Sequence, residues 1–234
     1  MEKQPSALLR RTATEIKIYR MMLRLLPLAI GILSTILIVI YVVSVLYSRY
    51  GAFTVTIPKY DAMEYALSLS INEDFADPTS QLNMKIATDI TNIDGETIPA
   101  DVDNINGVHN GENYSAYTFY CKNTGTSTVT ARYQVYMANS TLGIEKAIRV
   151  KLFVNGEPTI YARTASDGSG PEPGTVEFRT ESIIVQKDVE NFAPQDIMKF
   201  TILMWLEGND PDCVDSIIGG EMKIDMTISV LNAE

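Results

Sequence analysis

The segment spanning residues 205–221, WLEGNDPDCVDSIIGGE, holds the densest group of side chains that could do chemistry. Its clustered carboxylates are Glu207, Asp210, Asp212 and Asp215. Hard oxygen ligands separated by one or two residues on a turning loop can hold Ca²⁺, although the twelve-residue EF-hand pattern is absent. The spacing predicts a calcium site formed by these four residues. A polar turn with its acids in solvent is the alternative.

The chain has two cysteines, Cys121 at the end of a predicted strand and Cys213 within the acidic segment. In an oxidising compartment such a pair can cross-link. Because the bridge would close a long loop, it would stabilise the fold by about 4–5 kcal/mol in the chain-entropy description. We predict a disulfide between them. Two unpaired thiols, one of them buried, are the alternative.

The sequence offers little for catalysis. His109 is the only histidine, and it lies in the polar context VHNGEN, where a solvated side chain is expected. Zinc sites usually draw several histidine or cysteine ligands. There is no HExxH pair, no GxSxG motif and no phosphate-binding glycine loop. We therefore predict a protein that is not an enzyme and that holds no cofactor other than calcium.

One apolar run divides the chain into regions of opposite charge. Residues 1–24 carry six basic side chains against two acidic ones, whereas the whole chain has a net charge of −10. Residues 25–47 lack formal charge, and as a helix they would extend about 35 Å, enough to cross a hydrocarbon core of about 30 Å. Basic residues favour the cytoplasmic side. We predict a cytoplasmic tail at 1–24, a single lipid-spanning helix at 25–48 and an extracellular domain at 49–234.

A cleaved signal peptide is the alternative interpretation of this run. The apolar core of a signal peptide is about 7–15 residues long and ends in small residues. Here the run is longer, and its exit reads LYSRYG without a small-x-small pair. A retained anchor is therefore expected. The acidic remainder disfavours a nucleic acid partner, because binding phosphates requires a basic surface.

Beyond the anchor, apolar and polar residues alternate with a period of two, which is typical of half-buried antiparallel strands. Asn155-Gly156 is a strong hairpin signal. A short helix is expected at 61–66 and a long loop or flexible insertion at 92–113. The predicted class is all-β, a two-sheet sandwich or jelly roll. The predicted strands are 52–57, 65–71, 82–91, 114–122, 128–137, 147–154, 159–162, 176–185, 199–206 and 222–231.

The first predicted strand, AFTVTI, joins the anchor to the domain. It is uncharged and has high β-propensity, and Phe53, Val55 and Ile57 project from one face. Such a segment can add to the sheet of another molecule. We predict a strand donor here. The alternative is the first strand of the domain's own sheet.

Several segments together resemble a known family: SAYTFYCKNTGTSTVTARYQV, KAIRVKLFVNGEPTIYA, FAPQDIMKFTILMWLEGNDPDC and GGEMKIDMTISV. Over about residues 114–232 the chain resembles surface and secreted proteins of Gram-positive bacteria related to camelysin and TasA. The resemblance implies a jelly-roll-like β-sandwich and, from some members, assembly into extracellular biofilm fibres by strand donation. The chain departs from those members in its long amino-terminal helix, since they carry a cleaved signal sequence.

The predicted function is that of a membrane-anchored surface protein that self-associates or binds envelope proteins, with strand addition as its mechanism. An accessory subunit of a secretion or conjugation machine is one alternative. A camelysin-type metallopeptidase is another, although the sequence has no recognisable zinc motif.

Overall fold

The computed structural model of the chain describes residues 7–50 and 53–233. It consists of one long amino-terminal helix and a domain that is mostly β-sheet, and the chain divides into two compact units between residues 48 and 49. We call residues 53–233 the β domain. The helix α1 (Ala7–Tyr50) has 44 residues, and its stretch Ile18–Val43 is long and apolar enough to cross a membrane.

Pro27 and Thr35 both lie inside α1. Pro27 is in the helix interior, because the helix begins well before the apolar run. The hydroxyl Oγ1 of Thr35 donates a hydrogen bond to the Gly31 carbonyl oxygen at 3.0 Å, within the same helix. Membrane helices tolerate proline and hydroxyl residues where local contacts satisfy the polar groups.

The β domain contains twelve strands and one short α-helix among its described residues. In chain order they are β1 (Phe53–Thr56), α2 (Lys59–Glu64), β2 (Leu67–Ser70), β3 (Gln81–Met84), β4 (Gly107–Val108), β5 (Tyr114–Asn123), β6 (Val129–Ser140), β7 (Ile148–Val154), β8 (Glu157–Ala162), β9 (Thr175–Glu177), β10 (Ile183–Phe192), β11 (Ile197–Leu206) and β12 (Met222–Ala233).

The strands form two sheets. The five-stranded sheet has the order β10-β6-β12-β1-β3, and the seven-stranded sheet has the order β2-β5-β11-β7-β8-β9, with β4 also paired to β5. Most pairs are antiparallel. The two parallel pairs are β1 with β12 and β8 with β9.

The apolar faces of the two sheets enclose a shared core. Along β6, Val129, Ala131, Tyr133 and Val135 are buried and alternate with partly exposed polar residues, as the pattern predicts. Phe200 on β11 lies edge-on to Tyr133 of the opposite sheet, with ring centroids 5.4 Å apart. Aromatic contacts of this geometry contribute beyond the area they bury.

A second, smaller cluster lies on the other face of the seven-stranded sheet. Val102, Ala116, Phe153, Leu203 and Trp205 are buried together there. Val102 belongs to the segment 92–113, which was predicted as a loop and contains two short 3₁₀ turns and β4. Because this segment packs on β5 and β11, both strands are buried on both faces, which explains their nearly continuous apolar sequence.

Two predicted strands are wrong in extent. The predicted strand 176–185 is interrupted, because Thr180 N–H donates to the Ile183 carbonyl at 3.0 Å and closes a tight turn between β9 and β10. The predicted strand 82–91 ends at Met84 as β3. The helix predicted at 61–66 is present as α2, two residues earlier.

Close packing at Gly95 generates a test of the second cluster. A Cβ atom at Gly95 would lie 2.6 Å from the Trp205 ring, which is itself 4% exposed. Gly95→Ala should therefore lower the free energy of unfolding by about 1–3 kcal/mol. Chemical denaturation followed through the fluorescence of the single tryptophan measures the change.

Gly170→Ala is the matched control, because a Cβ atom there meets nothing within 4 Å. Its stability should change by less than about 0.5 kcal/mol. Equal losses in the two variants would contradict the packing of Gly95 on Trp205.

Candidate functional site

The acidic segment directly follows β11, and its first carboxylate is built into the fold. Glu207 is 5% exposed. Its Oε2 accepts a hydrogen bond from Trp205 Nε1 at 2.9 Å and from the Gly95 backbone N–H at 3.2 Å. Its Oε1 accepts from the Asn209 backbone N–H at 3.1 Å. Glu207 thereby ties the end of β11 to the segment that covers the sheet.

Asp210 takes part in a buried ion pair. Its Oδ2 lies 2.7 Å from Nη2 of Arg149, and both side chains are almost fully buried. Arg149 also contacts Glu172 at 2.8 Å. Burial disfavours the charge on Arg149, but hydrogen bonds to Glu172 and Asp210 outweigh it and raise the pKa of the guanidinium. Burial opposes ionisation of Glu172 too, yet Arg149 holds its pKa below the ordinary value.

The structure does not bring the four predicted calcium ligands together. Asp212 accepts a hydrogen bond from the Ser166 backbone N–H at 2.7 Å, and Asp215 is exposed at the start of a 3₁₀ turn. Within residues 7–50 and 53–233, no group of three or more His, Cys, Asp or Glu side chains is arranged to hold a metal ion. Glu207 and Asp210 are buried and hydrogen-bonded within the domain, whereas Asp215 is exposed, and calcium binding stays a prediction.

The predicted disulfide is not formed, and both cysteines are free thiols. Cys121 faces the core on β5 and pairs with Met198, near the start of β11. Cys213 lies beyond Leu206, where β11 ends. Residues 198–206 of a strand span about 26 Å, whereas a disulfide requires Cα atoms within about 7 Å. The sequence could not reveal that Cys121 lies beside the start of β11 whereas Cys213 follows its end.

The predicted strand donor is an interior strand of the five-stranded sheet. Phe53, Val55 and Ile57 are at most 1% exposed. β1 lies between β12, to which it is parallel, and β3, to which it is antiparallel. In this chain β1 is therefore paired within its own domain, and donation of the strand to another molecule stays a prediction.

His109 is half-buried rather than solvated. Its Nδ1 lies 2.8 Å from the Gly107 carbonyl oxygen, and its Nε2 is buried without a hydrogen-bond partner among the described residues. Tyr117 likewise has a buried hydroxyl without such a partner, and burial raises its pKa to about 12. The two groups are not hydrogen-bonded to a nucleophile.

A cleft of about 900 Å³ opens at the end of the β domain where β11 finishes, between segment 86–92 and segment 213–223. Its floor is apolar, and its rim carries carboxylates and the Cys213 thiol. Protein pockets that bind ligands are typically apolar clefts of this size with a few polar groups. The floor residues are Ile144, Ile148, Met204 and Ile217, and the rim acids are Asp89, Asp215 and Glu221.

Sequence reasoning missed this cleft, since its walls come from distant segments. One signal was present: residues 82–91 have the pattern of a strand, but their outer half has no partner strand in the fold. The backbone there bends at Asp89, whose φ is +58°, and the Ala87 and Thr91 N–H groups donate to the side chains of Ser115 and Asn113.

No protein-family model matches the chain, and no curated protein matches it either.

The buried ion pair predicts a large stability effect at Asp210. Asp210→Ala leaves the guanidinium of Arg149 buried with only the partly exposed Glu172 as its partner. We expect the free energy of unfolding to fall by about 3–5 kcal/mol, measured by chemical denaturation.

Asp188→Ala is the matched control, because it removes an equally short but solvent-exposed partner from Arg132. Exposed ion pairs contribute little to stability, so this variant should unfold close to the original chain. A similar loss from both variants would show that burial does not set the strength of the Arg149 pair.

The separated cysteines predict unequal reactivity. Burial raises the pKa of the Cys121 thiol to about 12. Cys213 is only partly buried, and that burial raises the pKa of its thiol as well. Iodoacetamide should therefore label Cys213 in the native protein and should label Cys121 only after denaturation. The labelling of Cys213 should become faster as the pH rises above the ordinary thiol pKa of about 8.5, because the thiolate is the reactive form.

Peptide mapping by mass spectrometry without reductant measures the labelling. A Cys213→Ser variant should take up no label in its native state. Recovery of a peptide pair linked through both cysteines would contradict the structure.

Proposed function

We propose that this protein is a membrane-anchored, non-enzymatic surface protein whose β domain assembles with other protein molecules by exchanging β1. Its amino terminus lies in the cytoplasm, α1 crosses the membrane and the acidic β domain lies outside. The stretch Ile18–Val43 supports the anchor, because it is long and apolar enough to span a bilayer. The basic residues before it support the orientation.

The position of β1 is the single observation that carries the proposal. β1 is not part of a hairpin, and it pairs in parallel with the carboxy-terminal strand β12. A strand at the end of the domain can be replaced by the same strand of a neighbouring copy without breaking any hairpin. Its buried side chains, Phe53, Val55 and Ile57, would fill the same positions in the neighbour's core.

The resemblance to the camelysin and TasA group adds support from a different direction. That group implies a jelly-roll-like sandwich for the two sheets, and some of its members assemble by strand donation. In this protein the donor strand follows a membrane-spanning helix, so assembly would link neighbouring anchored copies along the membrane surface.

A disulfide trap distinguishes exchanged from unexchanged β1. Thr54 on β1 lies directly across from Asn83 on β3, and Thr54 Oγ1 donates to Asn83 Oδ1 at 3.2 Å. One chain carries Thr54→Cys and a second carries Asn83→Cys, both with Cys213→Ser, and the two are co-expressed. If β1 is exchanged, oxidation produces a covalent dimer on non-reducing gels.

Arg132→Cys and Asp188→Cys form the matched control pair, since those residues face each other on β6 and β10. Split between two chains, they should give no dimer, because neither strand exchanges. If the split Thr54 and Asn83 pair also gives only monomer, while both cysteines in one chain form an internal bridge, β1 stays in its own domain and the proposal fails.

A further inference from the structure

The strand β10 forms a long edge of the five-stranded sheet. It has ten residues, whereas the strands at the other ends of the two sheets, β3, β2 and β9, have at most four. Within the part of the chain that the structure describes, β10 pairs with β6 on one side and with no strand on the other. A long edge strand is a template for pairing with another chain unless it is protected.

The backbone of β10 is irregular towards both ends. Its register with β6 shifts between Ile183 and Val185 and again between Val189 and Phe192. Asn191 has a φ of +56°, which lies outside the extended region. Bulges of this kind twist an edge away from an incoming strand, so the regular part of β10 is short.

A charged side chain interrupts the core-facing row of β10. Lys187 lies directly opposite Tyr133, which is buried and faces the core, so both side chains lie on the same face of the sheet. Its neighbours in that row are Val185 and Val189. Lys187 is nevertheless exposed. An inward-pointing charge protects an edge, because a second strand paired there would cover it.

Pairing of β10 with the same strand of a second copy would bring like charges together. With both cores on the same side, an antiparallel pair centred on residue 187 places Lys187 opposite itself. A pair centred on residue 188 places Asp188 opposite itself, and one centred on residue 189 places Asp188 opposite Glu190. Like charges directly opposite each other destabilise a strand pair, so each of these registers is disfavoured.

We propose that β10 is a protected edge that prevents the five-stranded sheet from pairing edge to edge with a second copy of the chain, and that Lys187 is the residue on which this protection depends. The register centred on residue 187 would otherwise suit a pair. It places Val185 opposite Val189 on the core side and Gln186 opposite Asp188 on the solvent side, and the two lysines are its only facing like charges. The protection acts on a different strand from β1, so it does not depend on strand exchange.

Lys187→Val tests the protection in the full chain in detergent micelles, with sedimentation velocity as the measurement. The variant should self-associate at least about tenfold more strongly than the original chain, because the register centred on residue 187 then has an apolar core side and no facing like charges. Hydrogen exchange followed by mass spectrometry should become slower at the backbone amides of β10 in the associated variant.

Lys151→Val is the matched control, because Lys151 lies on β7, an interior strand of the seven-stranded sheet. It should leave self-association unchanged within about twofold. Lys187→Glu keeps a facing like charge in the register centred on residue 187 and should also leave self-association unchanged, which separates the loss of charge from the loss of the lysine itself.

Unchanged self-association of Lys187→Val would overturn the proposal. So would an equal gain from Lys151→Val, because any added apolar side chain would then suffice, and so would a gain from Lys187→Glu. Exchange that becomes slower only outside β10, or already at β10 in the original chain as its concentration rises, would also reject it. Every variant keeps the original β1, so none of these outcomes bears on the disulfide trap there.

Discussion

Phe200 packs between the two sheets. Its ring stacks on Phe119 within its own sheet at 5.3 Å and meets Tyr133 of the opposite sheet edge-on at 5.4 Å. It is fully buried on β11, which has β5 on one side and β7 on the other. Because burial of apolar surface is the main favourable term in folding, this contact between the two inner faces helps to hold the sheets together.

The acidic segment shows how the burial of β11 affects the charged residues that follow it. β11 is covered on both faces, so the chain leaves it in a position where Glu207 and Asp210 are buried. A buried carboxylate is stable only when it is paired or hydrogen-bonded. Trp205 and Arg149 supply those partners, and the two acids consequently hold the loop in place.

The same architecture gives an interior place to the first strand of the β domain. β1 follows in sequence the helix that is long and apolar enough to cross a membrane, and it lies between β12 and β3, where its side chains complete the core. Past β3 the strand pattern continues in the sequence, but the backbone bends at Asp89 and the Ala87 and Thr91 N–H groups donate to the side chains of Ser115 and Asn113.

The sequence by itself determined the apolar helix, the β class and most strands, because a period of two and a long uncharged run arise from local side-chain order. It also predicted the hairpin at Asn155-Gly156, which joins β7 to β8. It did not determine the turn at residues 180–183, the separation of Cys121 from Cys213, the ion pair of Asp210 or the cleft. The turn is closed by local hydrogen bonds of Thr180, which the periodic pattern of a strand does not reveal. The other features depend on which distant strands become neighbours, and the packing of the two sheets makes that choice.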